Sequence, residues 1–393
     1  MAQAALPFRF APPAAGGADL LIVAGEHSGD ENAARLVRGL REIRTDLRLC
    51  ALGGARLAEA GVQVLFDPTA SSVIGYGEVI RRYFSYFRPL FQETVRWIRE
   101  HRPRTVCLVD YGGFNLRLAN ALREEGLSSK GGGPIRVVYY ISPQIWASRA
   151  RRRFVLARSI DAMAVIFPFE PACYADTALP VDFVGHPFVA SDYRPPVRYD
   201  PSGPVLLLPG SRRKPVERIF PALVAGYRAA GVGRPAAAIY PSEDIAAVLR
   251  GVLGSGGEGI ALLPGGGPEP VGASAVLTSS GTMSVHCALA GIPGAIAYRT
   301  DALTYLLGRW LVRVRYLGLA NLLLGEPMYP EHIQGEATAG SLADELRACL
   351  SDPARLERTR SQAERLRTLL SRPTGGTAAD WLSRQCPVRP ANA

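Results

Sequence analysis

The chain has only two lysines, Lys130 and Lys214, among its 45 basic residues, and no apolar run that approaches a membrane span. Runs such as Leu20–Ala24 and Val205–Leu208 stop at Gly, Glu or Pro, well short of the ~20 residues a spanning helix needs. The amino terminus carries one arginine, Arg9, before Pro12-Pro13, and its first long apolar run leads into Gly25-Glu26. A signal peptide is therefore not expected. The six cysteines (Cys50, Cys107, Cys173, Cys287, Cys349, Cys386) form no Cys-x-x-Cys pair. That argues against a zinc site or disulfide framework and for the reduced, buried thiols of a cytoplasmic protein. Asp-x-Asp, a pair that holds a metal on a sugar-nucleotide diphosphate, is absent. The five histidines (His27, His101, His186, His286, His332) show no metal-ligand spacing. No metal and no cofactor are expected.

What is present points to a two-domain α/β protein. A length of 393 residues exceeds one ordinary core, and 48% hydrophobic with 20% charged residues is a globular composition. The net charge of +10 fits an anionic partner or simply an arginine-rich composition. Without a zinc-finger or RNP-type signature, nucleic acid is not the expected partner. Short β-branched or Leu-rich runs alternate with helical stretches, the pattern of parallel sheets. In the first lobe these are strands at Leu20–Ala24, Arg48–Leu52, Thr105–Val109, Val137–Ile141 and Asp161–Ile166. Helices are expected over Glu31–Ile43, Ala55–Ala60, Val79–His101 and Asn115–Glu124. The second series has strands at Val205–Leu208, Ala236–Tyr240, Ala275–Leu277 and Ala295–Tyr298, then helix over Leu342–Leu370 and Gly375–Arg384. The expected division is a disordered extension over 1–18, an N-terminal lobe over 19–190 and a Pro/Gly/Asp-rich linker over 191–204. A nucleotide-binding lobe over 205–360 follows, then helices over 361–393 that can pack back on the first lobe.

Open parallel sheets bind ligands beyond the carboxyl ends of their strands. Gly25-Glu26-His27-Ser28-Gly29-Asp30 is such a turn, although Ser28 or Asp30 could simply cap the next helix. Pro209-Gly210-Ser211-Arg212-Arg213 suits a pyrophosphate, with N–H groups to cradle it and arginine for forked bonds; a solvated turn is the rival. Ser279-Ser280-Gly281-Thr282 offers a second set of donors from the same lobe. Asp110, at the end of a strand and before Tyr111-Gly112-Gly113, is placed either as a general base or as a helix cap. Around Val73–Phe91, Arg81, Arg82 and Arg88 interleave with Phe84, Phe87 and Phe91. The segment reads either as core stripe or as a surface for anionic lipid.

Taken in order, several segments resemble lipid-A-disaccharide synthase, a glycosyltransferase family of the GT-B type. They are Val-Ala-Gly-Glu-His-Ser-Gly-Asp (23–30), Val-Asp-Tyr-Gly-Gly-Phe-Asn-Leu-Arg-Leu-Ala (109–119), Tyr-Ile-Ser-Pro-Gln-Ile-Trp-Ala (140–147), Phe-Pro-Phe-Glu (167–170) and Phe-Val-Gly-His-Pro (183–187). Leu-Leu-Pro-Gly-Ser-Arg (207–212), Ser-Gly-Thr (280–282), Ala-Tyr-Arg (297–299) and Asn-Leu-Leu (321–323) continue the series. The resemblance implies two Rossmann-like parallel-sheet lobes facing each other across a cleft. It implies transfer of a 2,3-diacylglucosamine from UDP to the 6-hydroxyl of 2,3-diacylglucosamine 1-phosphate, with inversion, in lipid A synthesis. Asp110 falls on the family's catalytic base and Ser28 on an active-site serine. Arg212 and Asn321 fall on family residues at the UDP and Gln334 on a position that closes over it, so the two loops with Gly210 and Ser211 and with Ser280, Gly281 and Thr282 are expected to hold the UDP. His286 stands where relatives carry a Glu that can accept both ribose hydroxyls; a neutral imidazole accepts only one hydrogen bond. The acylated substrates imply a peripheral protein on an anionic inner-membrane surface, and homodimerisation stays open. The rivals are a UDP-sugar 2-epimerase of the same architecture and a non-catalytic lipid- or nucleotide-binding paralogue.

If the 73–91 segment meets lipid, replacing Phe84, Phe87 and Phe91 together with Ser lowers co-sedimentation with anionic vesicles while the circular dichroism spectrum stays unchanged. Equal sedimentation of the folded variant contradicts the lipid reading.

Overall fold

The computed structural model describes residues 9–68, 86–254, 259–301, 305, 314–371 and 374–387. The chain divides into two compact units, residues 1–187 with 372–393, and residues 188–371.

The first unit begins with β1 (Leu20–Ala24), α1 (His27–Ile43), β2 (Leu49–Leu52), α2 (Ala55–Glu59) and β3 (Gln63–Phe66). Next come α3 (Arg88–His101), β4 (Thr105–Val109), α4 (Gly112–Glu124), β5 (Arg136–Tyr140), α5 (Arg152–Ser159), β6 (Ala162–Val165) and β7 (Val181–Phe183). The strands form one sheet in the order β3-β2-β1-β4-β5-β6-β7, every pair parallel. Central strands β1 and β4 are buried along their whole length, which is why they read as unbroken apolar runs rather than alternating ones.

The second unit repeats the plan. It has β8 (Val197–Tyr199), β9 (Val205–Leu208), α6 (Arg213–Ala230), β10 (Ala236–Tyr240), α7 (Glu243–Leu253), β11 (Ile260–Pro264) and β12 (Val271–Ala273). It continues with β13 (Ala275–Thr278), α8 (Thr282–Leu289), β14 (Gly294–Tyr298), α9 (Leu319–Leu324), β15 (Glu331–Ile333), α10 (Ala339–Ser351) and α11 (Pro353–Leu370). The main sheet runs β11-β10-β9-β13-β14-β15, and β8 pairs with β12 in a small parallel ribbon. Asp352 separates α10 from α11: its carboxylate accepts the Ala354 N–H at 2.9 Å, and Pro353 opens the new helix. In both main sheets the strand order reverses once, between β1 and β4 and between β9 and β13. This is the doubly wound arrangement.

Three expectations about the chain's divisions need correction. Residues 9–18 are not a disordered extension: Phe10 is buried, its N–H donates to Glu93 at 2.6 Å, and Ala11 O accepts from Trp97 Nε1 at 2.9 Å. The 191–204 stretch is not a free linker, because β8 lies within it and belongs to the second unit. The boundary expected after residue 360 falls after Ser371, since α11 runs unbroken through it.

The last helix, α12 (Ala378–Gln385), belongs to the first unit. It lies on α1, close enough that a methyl at Gly39 would sit 3.0 Å from Ala379 Cβ. Its Trp381 is fully buried and donates Nε1–H to Asp182 at 3.1 Å. Trp381→Ala is expected to cost the first unit roughly 3–5 kcal/mol in urea unfolding, the range for deleting a buried large aromatic. A loss under about 1 kcal/mol would mean α12 contributes little to that core.

Candidate functional site

Loops at the two switch points hold most of the residues singled out from sequence. In the first unit the turns after β1 and β4 lie side by side. A methyl on Gly29, in the first turn of α1, would come within 3.9 Å of Asp110 Cβ. Ser28 is exposed on that turn. Neither Ser28 nor Asp30 caps α1; its N-cap is Glu26, without a side-chain cap bond. Asp30 is buried and caps α2 instead, accepting from the N–H groups of Gly54 at 2.7 Å, Arg56 at 3.0 Å and Leu57 at 3.3 Å.

Asp110 is half-buried and left-handed, with φ +48°, and Tyr111 follows at +49°. Two consecutive non-glycine residues in this region cost on the order of 1–2 kcal/mol each, so the surroundings must hold them. The Asn115 amide does so from inside. It donates to Asp110 O at 2.9 Å and lies within 3.3 Å of Val109 O, the last carbonyl of β4, and Val23 O, the penultimate one of β1. Tyr139, fully buried on β5, also donates its hydroxyl to Asp110 O. The Tyr111 ring stacks on Phe114 at 5.3 Å and covers Gly25, where any Cβ would fall 2.2 Å from that ring. Gly25 is thus required by close approach. The N-cap of α4 is Tyr111, which makes no side-chain cap bond.

In the second unit the β9 and β13 loops meet. Ser279 N donates to Leu208 O at 2.8 Å, and Gly210, at φ +108°, lies against Ser279 Oγ. Helix α6 starts at the exposed N-cap Arg212 and α8 at Gly281; among the described residues neither start has a side-chain cap bond. The backbone N–H groups of both first turns, with Ser211, Ser280 and Thr282, therefore gather at one sheet edge, an arrangement suited to an anion. The ends of β14 and β15 reach the same edge. There Gln334, at φ +54°, exchanges two hydrogen bonds with the Thr300 backbone, at 2.9 and 3.1 Å. Gln334, Gly335, Thr300, Arg299 and Arg218 line a shallow pocket of about 430 Å³.

Other expected positions are used differently. Asn321 is fully buried and all four of its amide positions are taken: it donates to Tyr329 O and Glu331 and accepts from the N–H groups of Met328 and Tyr329, at 2.6–2.9 Å. It braces its own loop and has no capacity left for a nucleotide. His286 lies against both Phe188 (ring centroids 4.0 Å apart, tilted) and Tyr193 (5.7 Å), which also stack on each other, and its Nδ1 shares a hydrogen bond with the Tyr193 hydroxyl. In the 73–91 segment, Arg81, Arg82 and Phe84 lie outside the described residues. Phe87 and Arg88 are exposed, whereas Phe91 packs edge-on to Phe114 at 5.6 Å and so joins the core. Among the described residues no group of three or more His, Cys, Asp or Glu could hold a metal, and no helix is long and apolar enough to cross a membrane. Burial raises the Cys50 thiol to about 11 and Cys287 to about 12, which makes both poor nucleophiles.

The model of the lipid-A-disaccharide synthetase family matches residues 20–228 and 270–383. The chain belongs to that family. A lipid-A-disaccharide synthase from Legionella pneumophila (strain Philadelphia 1) is 35% identical over 371 residues, covering 90% of this chain and 93% of the relative. One from Myxococcus xanthus is 36% identical over 342 residues, covering 84% and 87%. Solved structures with the same fold include the glycotransferase of kitacinnamycin (TM-score 0.58, 14% identity, 94% of this chain and 99% of that one). A UDP-N-acetylglucosamine 2-epimerase from Listeria monocytogenes also matches (TM-score 0.57, 12% identity, 93% and 94%). Fold alone therefore does not separate transferase from epimerase; sequence does. The protein is a GT-B glycosyltransferase of lipid A biosynthesis, built to bind a nucleotide-sugar donor.

Sequence reasoning missed the residues that support the first unit's site. Asn115 lies in one family segment and Tyr139 just before another, yet nothing local signals that both reach one carbonyl. Glu170 is similar. It is almost completely buried after β6 and accepts from Phe167 N at 3.1 Å and Trp146 Nε1 at 3.3 Å. Burial outweighs those bonds and raises its carboxyl from 4.5 to about 7. The folded chain therefore keeps a proton that the unfolded chain releases between these values. This contribution to stability is complete below pH 4.5 and is lost as pH rises through about 7. Glu170→Gln removes the titration, so the variant should gain roughly 2 kcal/mol on wild type between about pH 5 and 8. Parallel stability profiles in urea melts would show that Glu170 does not titrate in this window.

Proposed function

We propose that the chain transfers 2,3-diacylglucosamine from UDP to the 6-hydroxyl of 2,3-diacylglucosamine 1-phosphate. The products are the β(1→6) disaccharide 1-phosphate, with anomeric inversion, and UDP. The observation that carries the reading is the Asp110 turn. A carboxylate at the reversal of a parallel sheet, on a backbone that costs free energy to maintain, is what a positioned general base requires.

In this mechanism Asp110 accepts the proton of the 6-hydroxyl as its oxygen attacks the anomeric carbon opposite the departing UDP. One displacement needs one base, and the carboxyl later returns its proton to solvent. Asn115 and Tyr139 fix the base through its own carbonyl, so the carboxylate does not have to be oriented at the moment of reaction. Ser28 supplies a hydroxyl beside the base. The diphosphate sits at the starts of α6 and α8, where Gly210 lets the backbone approach and N–H groups of Ser211, Arg212, Ser280, Gly281 and Thr282 are in reach. Arg212 adds a forked cation, and Gln334 with Arg299 closes the same edge. Partial positive charge at the two helix starts and the arginines offsets charge growing on the leaving UDP without a metal. Acylated substrates place the enzyme on the cytoplasmic face of the inner membrane, with Phe87 and Arg88 toward lipid.

The test is an assay with UDP-2,3-diacylglucosamine and the monosaccharide 1-phosphate. Wild type should release UDP only when the acceptor is present and form a β-linked product by proton coupling. Asp110→Asn should lower kcat by 10²- to 10⁴-fold, approximately, while the donor KM changes by less than about twofold. Near wild-type turnover in Asp110→Asn, or an α-linked product, contradicts the mechanism.

A further inference from the structure

Residues 149–158 hold five arginines and no acidic side chain. They lead from the loop after β5 into α5, whose inner residues Leu156 and Ser159 are buried. Arg149, Arg151, Phe154 and Arg158 are exposed. Spacings of three and four residues put Arg151, Phe154 and Arg158 on one outward face. The backbone ties that face together: Phe154 N donates to Arg151 O at 3.2 Å, and Arg158 Nε donates to Phe154 O at 3.2 Å. Phe154 is 42% exposed, and among the described residues Ile43 and Phe87 are the other large apolar side chains left in water. Arg153 is committed to Asp176 at 2.7 Å, but among the described residues no ion pair reaches Arg149, Arg151 or Arg158. A large apolar ring set among unneutralised cations marks an interaction surface.

The fold puts this surface at the edge that carries Asp110. Each of α3, α4 and α5 runs down to the amino end of the next parallel strand, β4, β5 or β6, so all three start at the carboxyl edge of the sheet. Helix α4 packs on both α3 and α5. At their starts, Phe91 of α3 meets Phe114 of α4 at 5.6 Å, and a methyl on Gly112 would lie 3.1 Å from Pro143 Cβ in the loop before α5. The Asp110 turn, which opens α4, therefore has a tip on either side. One is Phe87 with Arg88 at the start of α3, both exposed; the other is Arg151 with Phe154 at the start of α5. At ordinary helix spacing the two tips stand roughly 20 Å apart.

We propose that the start of α5, through Phe154 with Arg149, Arg151 and Arg158, rests on an anionic phospholipid bilayer. With the start of α3 it forms a two-point seat that straddles the Asp110 turn. This rests on the acylated acceptor proposed above and adds the surface that holds the enzyme against the membrane. An acceptor whose acyl chains stay in the bilayer brings its 6-hydroxyl to Asp110 only if the carboxyl edge faces lipid, and both tips are on that edge. Anionic headgroups attract each exposed arginine, while the phenyl ring enters the headgroup zone beside them. A nucleic acid would also meet the arginines, but Arg153 covers one face of the Phe154 ring at 4.3 Å and leaves a base only the other. Insertion among headgroups needs no open ring face.

Co-sedimentation with vesicles of phosphatidylethanolamine and phosphatidylglycerol tests the assignment. A variant carrying Arg149→Gln, Arg151→Gln and Arg158→Gln should bind them more weakly by roughly fivefold per arginine removed. Phe154→Ser alone should also lower binding, and neither variant should differ from wild type on phosphatidylcholine vesicles. Phe154→Trp should sediment like wild type, and on the anionic vesicles its emission should shift to the blue relative to that of wild type. In neutral detergent micelles, where no bilayer has to be found, all three variants should form the disaccharide at the wild-type rate. A wild type that does not sediment, an undiminished arginine variant, or an unshifted Phe154→Trp emission on vesicles that carry the protein down overturns the proposal. Equal losses of turnover in micelles would make these side chains part of the active site and overturn it as well. Weaker retention of the arginine variant on single-stranded RNA with unchanged vesicle binding would assign the patch to nucleic acid instead. A blue shift and arginine-dependent sedimentation in a protein that forms no disaccharide would keep the lipid surface and reject the transferase reading.

Discussion

A parallel sheet whose strand order reverses sends its two central crossovers to opposite faces, and the carbonyls ending those strands lose their neighbours. Buried polar backbone left in this way must find partners. In the first unit the amide of Asn115 meets that demand: it reaches the ends of β1 and β4 and the carbonyl of Asp110. The left-handed pair Asp110–Tyr111, the ring of Tyr111 over Gly25, and the close approach of α1 to the carboxylate follow from this clamp. The site is a solution to a hydrogen-bonding problem before it is a catalytic device.

The second unit meets the same geometrical constraint with different chemistry. Its reversal is lined by backbone N–H groups, hydroxyls and arginine rather than by a carboxylate, and α6 and α8 begin there without side-chain caps. Uncapped first turns are unfavourable when dry and useful when an anion is to be bound. One topology, used twice, thus presents a carboxylate in one unit and backbone N–H groups with hydroxyls in the other. The division suits a reaction that removes a proton from one partner and releases a diphosphate from the other.

Much of this was legible in the residues. Strands Leu20–Ala24, Thr105–Val109, Val205–Leu208 and Ala236–Tyr240 have the bounds expected, because central parallel strands are continuous apolar runs stopped by Gly, Asp or Pro. Strands β7, β8, β12 and β15 went unread: three residues, partly exposed, are too short to display a period. Asp110 was visible as a carboxylate at a strand end, but its left-handed backbone was not, since tyrosine rather than glycine follows it. Asn321 shows the converse. Its resemblance to a ligand position is local, whereas its saturation depends on Glu331, ten residues away. Glu170 could be read only as part of a motif, because the indole that accompanies its burial comes from Trp146.

The first unit is discontinuous in sequence, and this has a consequence for how the protein is made. Residues 1–187 leave the ribosome well before α12, the helix that lies on α1 and buries Trp381. The second unit, encoded without interruption, can close as soon as its last helix emerges. The first must wait, with part of its apolar surface uncovered, until almost the entire chain has been synthesised. The order of assembly therefore runs against the order of translation: the lobe begun first is finished last.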